Sequence, residues 1–230
     1  MNGPSDLVVA EMTLRALLRR RLAIALLLAL PVALYLTRRD AVGQSVRALV
    51  FGASWAVSTV AFFAAQSARQ LEPRLSLAGL RTWRLVVGRV GGLLALGALL
   101  AGAFWVVVAL DQPVRSQGAV GLDLAVTVVL AVALGTAIGA VVDQELEGAL
   151  VIFFLAALQA VANPFGLFAK FLPFWATREL GTYAVDGPAV GSLPNGLAHA
   201  GVVVGICAAL VVTFSQRRLG RTDRATRTLR

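Results

Sequence analysis

The sequence predicts an all-α integral membrane protein of six transmembrane helices, with an N-terminal amphipathic connecting helix and an outer re-entrant segment between spans five and six. Three observations carry this fold class. Of 230 residues, 58% are hydrophobic and only 14% charged, and the mean hydropathy is +0.80. Soluble domains run at about 45–50% apolar and about 25% charged, so this chain has too little polar surface to face water on all sides. Apolar runs of bilayer length, which takes roughly 17–25 residues at 1.5 Å each, recur six times. The basic residues fall between those runs rather than on one amphipathic surface. The net charge of +9 is therefore a matter of membrane topology, and no nucleic-acid partner is expected.

The six spans read as residues 22–37, 46–66, 85–110, 122–142, 148–165 and 197–215 of a single transmembrane domain, 1–230. The first is short, but Leu17 and Leu18 extend it while Arg19, Arg20 and Arg21 snorkel to the interface. Arg38, Arg39 and Asp40 follow it at once without a small-x-small cleavage site, which favours a retained helix over a signal peptide. With the N-terminus inside, fifteen basic residues lie on the cytoplasmic side and six outside. The positive-inside rule then places both termini in the cytoplasm.

Three segments outside the spans have their own character. Residues 6–20 fit an interfacial helix, with Leu7, Ala10, Leu14, Leu17 and Leu18 on one face and Glu11, Arg15 and Arg19 beside it. Residues 67–84 form a basic cytoplasmic loop with a short helix. In it Leu71, Leu75 and Ala78 share one face and Arg74 and Arg81 another, and Pro73 is confined to the first turn. Residues 163–196 carry Asn163-Pro164, Gly166, Pro173, Gly187-Pro188 and Pro194-Asn195-Gly196, which argue against a continuous helix. Phe165, Phe168, Phe171, Phe174 and Trp175 keep that segment apolar, so a re-entrant excursion on the outer side reconciles both features. The tail at 216–230 is basic and cytoplasmic.

Several chemistries lack their residues. The one lysine reads Ala169-Lys170-Phe171, so no Gly-Lys-Ser/Thr phosphate loop exists and the chain has no ATPase site of its own. One histidine, His199, and one cysteine, Cys207, exclude an intrachain disulfide and a His- or Cys-rich metal site. Ala198-His199-Ala200-Gly201 resembles the His-bearing helix of rhomboid intramembrane proteases. Those need a serine in a Gly-x-Ser-Gly turn, whereas the fourth span reads Gly135-Thr136-Ala137-Ile138-Gly139. No catalytic residue is expected, and His199 reads as a neutral polar group near the outer interface. Arg89, Asp123 and Asp143 fall near span ends, leaving the bilayer centres without ionisable groups. Ion-coupled carriers place such groups there, which makes a secondary carrier, or an accessory membrane subunit, the runner-up. Gly135 with Gly139, and Gly201 with Gly205, are small-xxx-small pairs suited to close helix packing.

The order of these elements resembles the ABC-2 type permease family, the membrane subunits of bacterial ABC exporters. The best local match is Arg69-Gln70-Leu71-Glu72-Pro73-Arg74 through Gly79-Leu80-Arg81, although the third span opens on Thr82-Trp83-Arg84 without the family's usual proline. The resemblance implies a permease moving an amphipathic or hydrophobic substrate across the bacterial cytoplasmic (inner) membrane. It implies two copies of a separate ABC ATPase as partners, with ATP and Mg bound there and no cofactor in this chain, and a second permease, identical or related. It also implies an ATPase interface at Glu11, Arg15, Glu72, Arg74, Leu75 and Arg81.

Overall fold

The computed structural model describes residues 21–77, 82–163, 166–188 and 190–227. Among them every regular element is helical: α1 (Arg21–Thr37), α2 (Val42–Leu77), α3 (Thr82–Asp111), α4 (Gln117–Val141), α5 (Glu145–Val161), a 3-10 turn (Leu167–Phe171), α6 (Trp175–Asp186) and α7 (Leu193–Arg227). Four of these contain stretches long and apolar enough to cross a membrane: Gly43–Arg69, Leu85–Asp111, Gln117–Val141 and Leu193–Gln216. They mark the chain as a membrane protein. The other two apolar helices, α1 and α5, have 17 residues each, the lower limit for a span.

Helix α4 is the axis of the bundle. It touches α2, α3, α5, α6 and α7, and 72% of its apolar window is buried, against 17% for α7. The difference follows from composition. Helix α4 carries Gly135, Thr136, Ala137, Gly139 and Ala140 on successive turns, so neighbouring backbones can close on it from several sides. Its seam with α2 is the tightest. A Cβ at Gly135 would clash with the Ser58 carbonyl oxygen and come 2.8 Å from Ala61 Cβ and 3.0 Å from Phe62 N; one at Gly139 would sit 2.6 Å from Ala65 Cβ. Gly201 and Gly205 have the same spacing, yet among the described residues nothing beyond their own stretch of helix lies within 4 Å of their Cβ positions. Those two glycines face outward.

Charged contacts gather in two layers at opposite ends of the bundle. At one end Arg39 pairs with Asp111 and Arg47 with Asp186; Tyr35 donates to the same Asp111, and Ser116 N donates to Ala184 O at 3.3 Å. At the other end Arg69 pairs with Asp143, and Gln66 Nε2 donates to Val142 O at 2.7 Å. Arg47 and Arg69 are twenty-two residues apart on one helix. At 1.5 Å per residue this is roughly 33 Å, close to the ~30 Å hydrocarbon thickness.

Two elements differ from the sequence expectation. The basic segment after residue 66 is not a loop bearing a separate short helix. Helix α2 runs unbroken to Leu77, with Pro73 in its interior. Ala68-Arg69-Gln70-Leu71-Glu72 are strong helix formers without an intervening glycine, so nothing stops the emerging helix before Pro73, and it ends one turn later. Helix α5 starts at Glu145, three residues before the expected span, with Glu145 and Glu147 in its first turn, where carboxylates favour the positive helix terminus. The expected interfacial helix at 6–20 lies outside the described residues.

Candidate functional site

The residues singled out as an ATPase interface fall in three places. Glu72, Arg74 and Leu75 lie on the extension of α2 beyond the Arg69–Asp143 ion pair. Glu11, Arg15 and Arg81 lie outside the described residues. The extension follows the Arg69–Asp143 end of α2, whereas Asp186 of α6 pairs with Arg47 near the other end. At the root of the extension the largely buried Arg69 side chain meets the exposed Asp143.

His199 has a structural partner. Its Nε2 lies 2.9 Å from Lys170 O; a carbonyl can only accept, so Nε2 carries the proton. The ring also packs edge-on against Trp175, with centroids 5.1 Å apart. The hydroxyl of Thr136, at the place where the protease comparison would need a nucleophile, donates to Val132 O at 2.7 Å. Together these contacts give His199 the work of fastening α7 to the 3-10 turn.

A polar concavity lies elsewhere. A cleft of about 380 Å³ opens between α2, α4, the end of α5 and α6, near the Arg47–Asp186 end. That volume falls in the range of small-molecule sites, roughly 300–1,000 Å³. Its floor is Asp123, the seventh residue of α4 and so roughly 9 Å along the helix. The side chain is 1% exposed, and Oδ1 has no hydrogen-bond partner. A buried polar atom left in that condition costs about 1–3 kcal/mol, a cost that a ligand donor reaching it would relieve. Gly181 of α6 makes the approach possible, since a Cβ there would come 3.0 Å from Asp123 Oδ2.

The cleft's other polar groups divide by type. Ser54 donates its only proton to Phe51 O at 2.7 Å and Thr177 to Phe174 O at 2.9 Å. Both hydroxyl oxygens therefore keep only lone pairs for anything else. Gln159 Oε1, also on the wall, is buried without a partner. Arg178 supplies the opposite character. Burial, and then the neighbouring Arg47 charge, push its guanidinium below its usual pKa, with Glu179 pulling the other way.

Asp123 lies near one end of α4, as the sequence predicts, being the seventh of its 25 residues. The structure adds that its side chain is fully buried. The signal was available in Val120-Gly121-Leu122-Asp123-Leu124, a lone carboxylate within an otherwise apolar run, which is a functional-site hypothesis by default. No protein-family model matches the chain, and a search of curated proteins finds no match.

Proposed function

We propose that this chain is the permease subunit of an ABC-2-type exporter, a membrane translocator driven by ATP hydrolysed on a separate ATPase subunit. The observation that carries the reading is the extension of α2. It continues to Leu77, eleven residues past the expected end of its span. It continues past the Arg69–Asp143 end of the helix, the end away from the Arg47–Asp186 pair. A helix continuous with a span can transmit force from a soluble partner, and a short helix beyond the bilayer suits a groove on that partner.

In this reading α1 and α5 cross the membrane beside the four longer helices, giving six spans with both termini cytoplasmic. The Arg69–Asp143 end faces the cytoplasm of a bacterium. The 3-10 turn and α6 form the outer re-entrant segment. The burial of Ala176, Leu180 and Ala184, each 0% exposed, supports its packing into the bundle. The working unit pairs this chain with a second permease and two ATPases. The outward-facing Gly201 and Gly205 are available for contact with lipid or that second chain. Bond-making chemistry stays on the ATPase, where ATP and Mg bind. The cargo is amphipathic or hydrophobic.

The buried Asp123 favours a second reading, a carrier coupled to an ion and independent of ATP. One experiment separates the two. Affinity-tagged chain is purified from native membranes, and co-purifying subunits are identified by mass. An ABC ATPase should accompany the wild-type chain, and Arg74→Glu with Arg81→Glu should lose it while still inserting, because thirteen basic residues inside still exceed six outside. Retention of the ATPase by the double variant would reduce those arginines to topology signals. ATP-independent uptake by vesicles holding the chain alone would favour the carrier.

A further inference from the structure

The cleft separates two chemistries. Toward Asp123 it offers oxygen acceptors: the unpartnered carboxylate Oδ1, Gln159 Oε1, and the Ser54 and Thr177 hydroxyl oxygens whose protons are already committed. An ammonium group, three donors and no acceptor, answers such a set. Toward the mouth stand two guanidinium groups of different standing. Arg47 is paired with Asp186. Arg178, among the described residues, makes no ion pair. Arg178 is one helical turn from Gly181, the residue packed over Asp123 Oδ2. Residues so spaced lie on one helix face with Cβ atoms roughly 5–6 Å apart.

Asp123 thus presents a buried carboxyl with an unpartnered Oδ1, and Arg178 a guanidinium without an ion pair among the described residues, on two walls of one cleft. We propose that the cleft recognises a zwitterionic group, its ammonium held at Asp123 and its phosphate or carboxylate at Arg178. A ligand with only one charge leaves the other protein group unanswered. That chemistry belongs equally to the headgroup of an ethanolamine phospholipid and to a small soluble zwitterion. The inference rests on the transport reading for the purpose of binding, and it narrows the cargo or its membrane environment to molecules that carry both charges.

Calorimetric titration of the purified chain in uncharged detergent tests it, with four probes: glycerophosphoethanolamine, ethanolamine, glycerol 3-phosphate and dihexanoyl phosphatidylethanolamine. The zwitterions should bind at least about tenfold more tightly than either single-charge probe. Asp123→Asn and Arg178→Gln should each weaken them at least about tenfold, as expected on losing a charge-assisted contact. Arg178 stands at the half-buried mouth, so its variant remains informative should the Asp123 variant fold poorly. A lipid preference of tenfold or more over glycerophosphoethanolamine assigns the site to a headgroup; equal binding assigns it to a soluble zwitterion. Unchanged affinity in a folded variant, equal binding of ethanolamine or glycerol 3-phosphate, or no binding by any probe overturns the proposal. ATPase association plays no part in this measurement, so its failure and the failure of the exporter reading are distinguishable.

Discussion

Gly135 and Gly201 present the same pattern in sequence, and the structure assigns them opposite sensitivities. Placing one methyl group at residue 135 drives it into the Ser58 carbonyl oxygen, with Ala61 Cβ and Phe62 N at 2.8 and 3.0 Å. Two of those three neighbours are backbone atoms of α2, which cannot rotate away, so α2 and α4 must separate. Overpacking of a tight core costs about 1–3 kcal/mol, and the lack of a yielding side chain puts Gly135→Ala in the upper half of that range. For a chain of this size each kcal/mol lowers Tm by roughly 2–4 °C, so a loss of about 4–12 °C is expected. Gly201→Ala adds a methyl where nothing lies within 4 Å and should stay within about 0.5 kcal/mol of wild type, or roughly 2 °C. Tryptophan-fluorescence melting of both variants in the same detergent reads the contrast. Equal losses at the two positions, or no loss at Gly135, would refute the assignment of the α2–α4 seam as the tightest contact of the bundle.

Two further outcomes follow from the topology and from the lysine content. An epitope inserted at Gly187 should react with an impermeant reagent in intact cells, whereas one at Arg230 should react only after lysis; an unreactive Gly187 site would sink the six-span arrangement. Rigorously purified chain should hydrolyse no ATP above background, since its single lysine lies in Ala169-Lys170-Phe171 rather than in a phosphate loop. Turnover by the isolated chain would overturn the exporter reading outright.

What was legible in the sequence was what depends on hydropathy. The four long apolar helices declare themselves because lipid demands uninterrupted runs, and α4 declares its packing role through small residues. Three features were hidden for separate physical reasons. The continuation of α2 was masked by Pro73, which reads locally as a start or a break. The first turn of α5 was masked by Glu145 and Glu147, which read as loop until the helix dipole is considered. Helix α6 was masked by the prolines and glycines on either side of it, although Trp175-Ala176-Thr177-Arg178-Glu179-Leu180 contains none. The cleft was the least legible, because it joins residues from 47 to 178 whose proximity only the tertiary fold creates.

The same contacts that fix the bundle restrict how it can move. Ser54 and Arg47, on the cleft wall, belong to the same continuous helix as the extension at residues 67–77. A push on that extension therefore reaches the cleft without crossing a joint. Between the two, the glycine seam binds α2 to α4 at Gly135 and Gly139, and the Gln66 and Arg69 contacts bind α2 to the connection following α4. Helices α2 and α4 are thus expected to move as one body carrying Ser54, Arg47 and Asp123 together. The remaining wall differs. Arg178 and Thr177 stand on α6, a 12-residue helix that meets the α2–α4 body at its far end, through the Arg47–Asp186 ion pair, the Ser116–Ala184 hydrogen bond and the Gly181 approach to Asp123. That joint also includes the packing of the fully buried Ala176, Leu180 and Ala184, but it is shorter than the α2–α4 seam, and its exposed ion pair adds little holding energy. Any rearrangement that opens or closes the cleft is therefore expected to displace α6 against α2 and α4, changing the separation of Arg178 from Asp123 while Ser54 and Asp123 keep theirs.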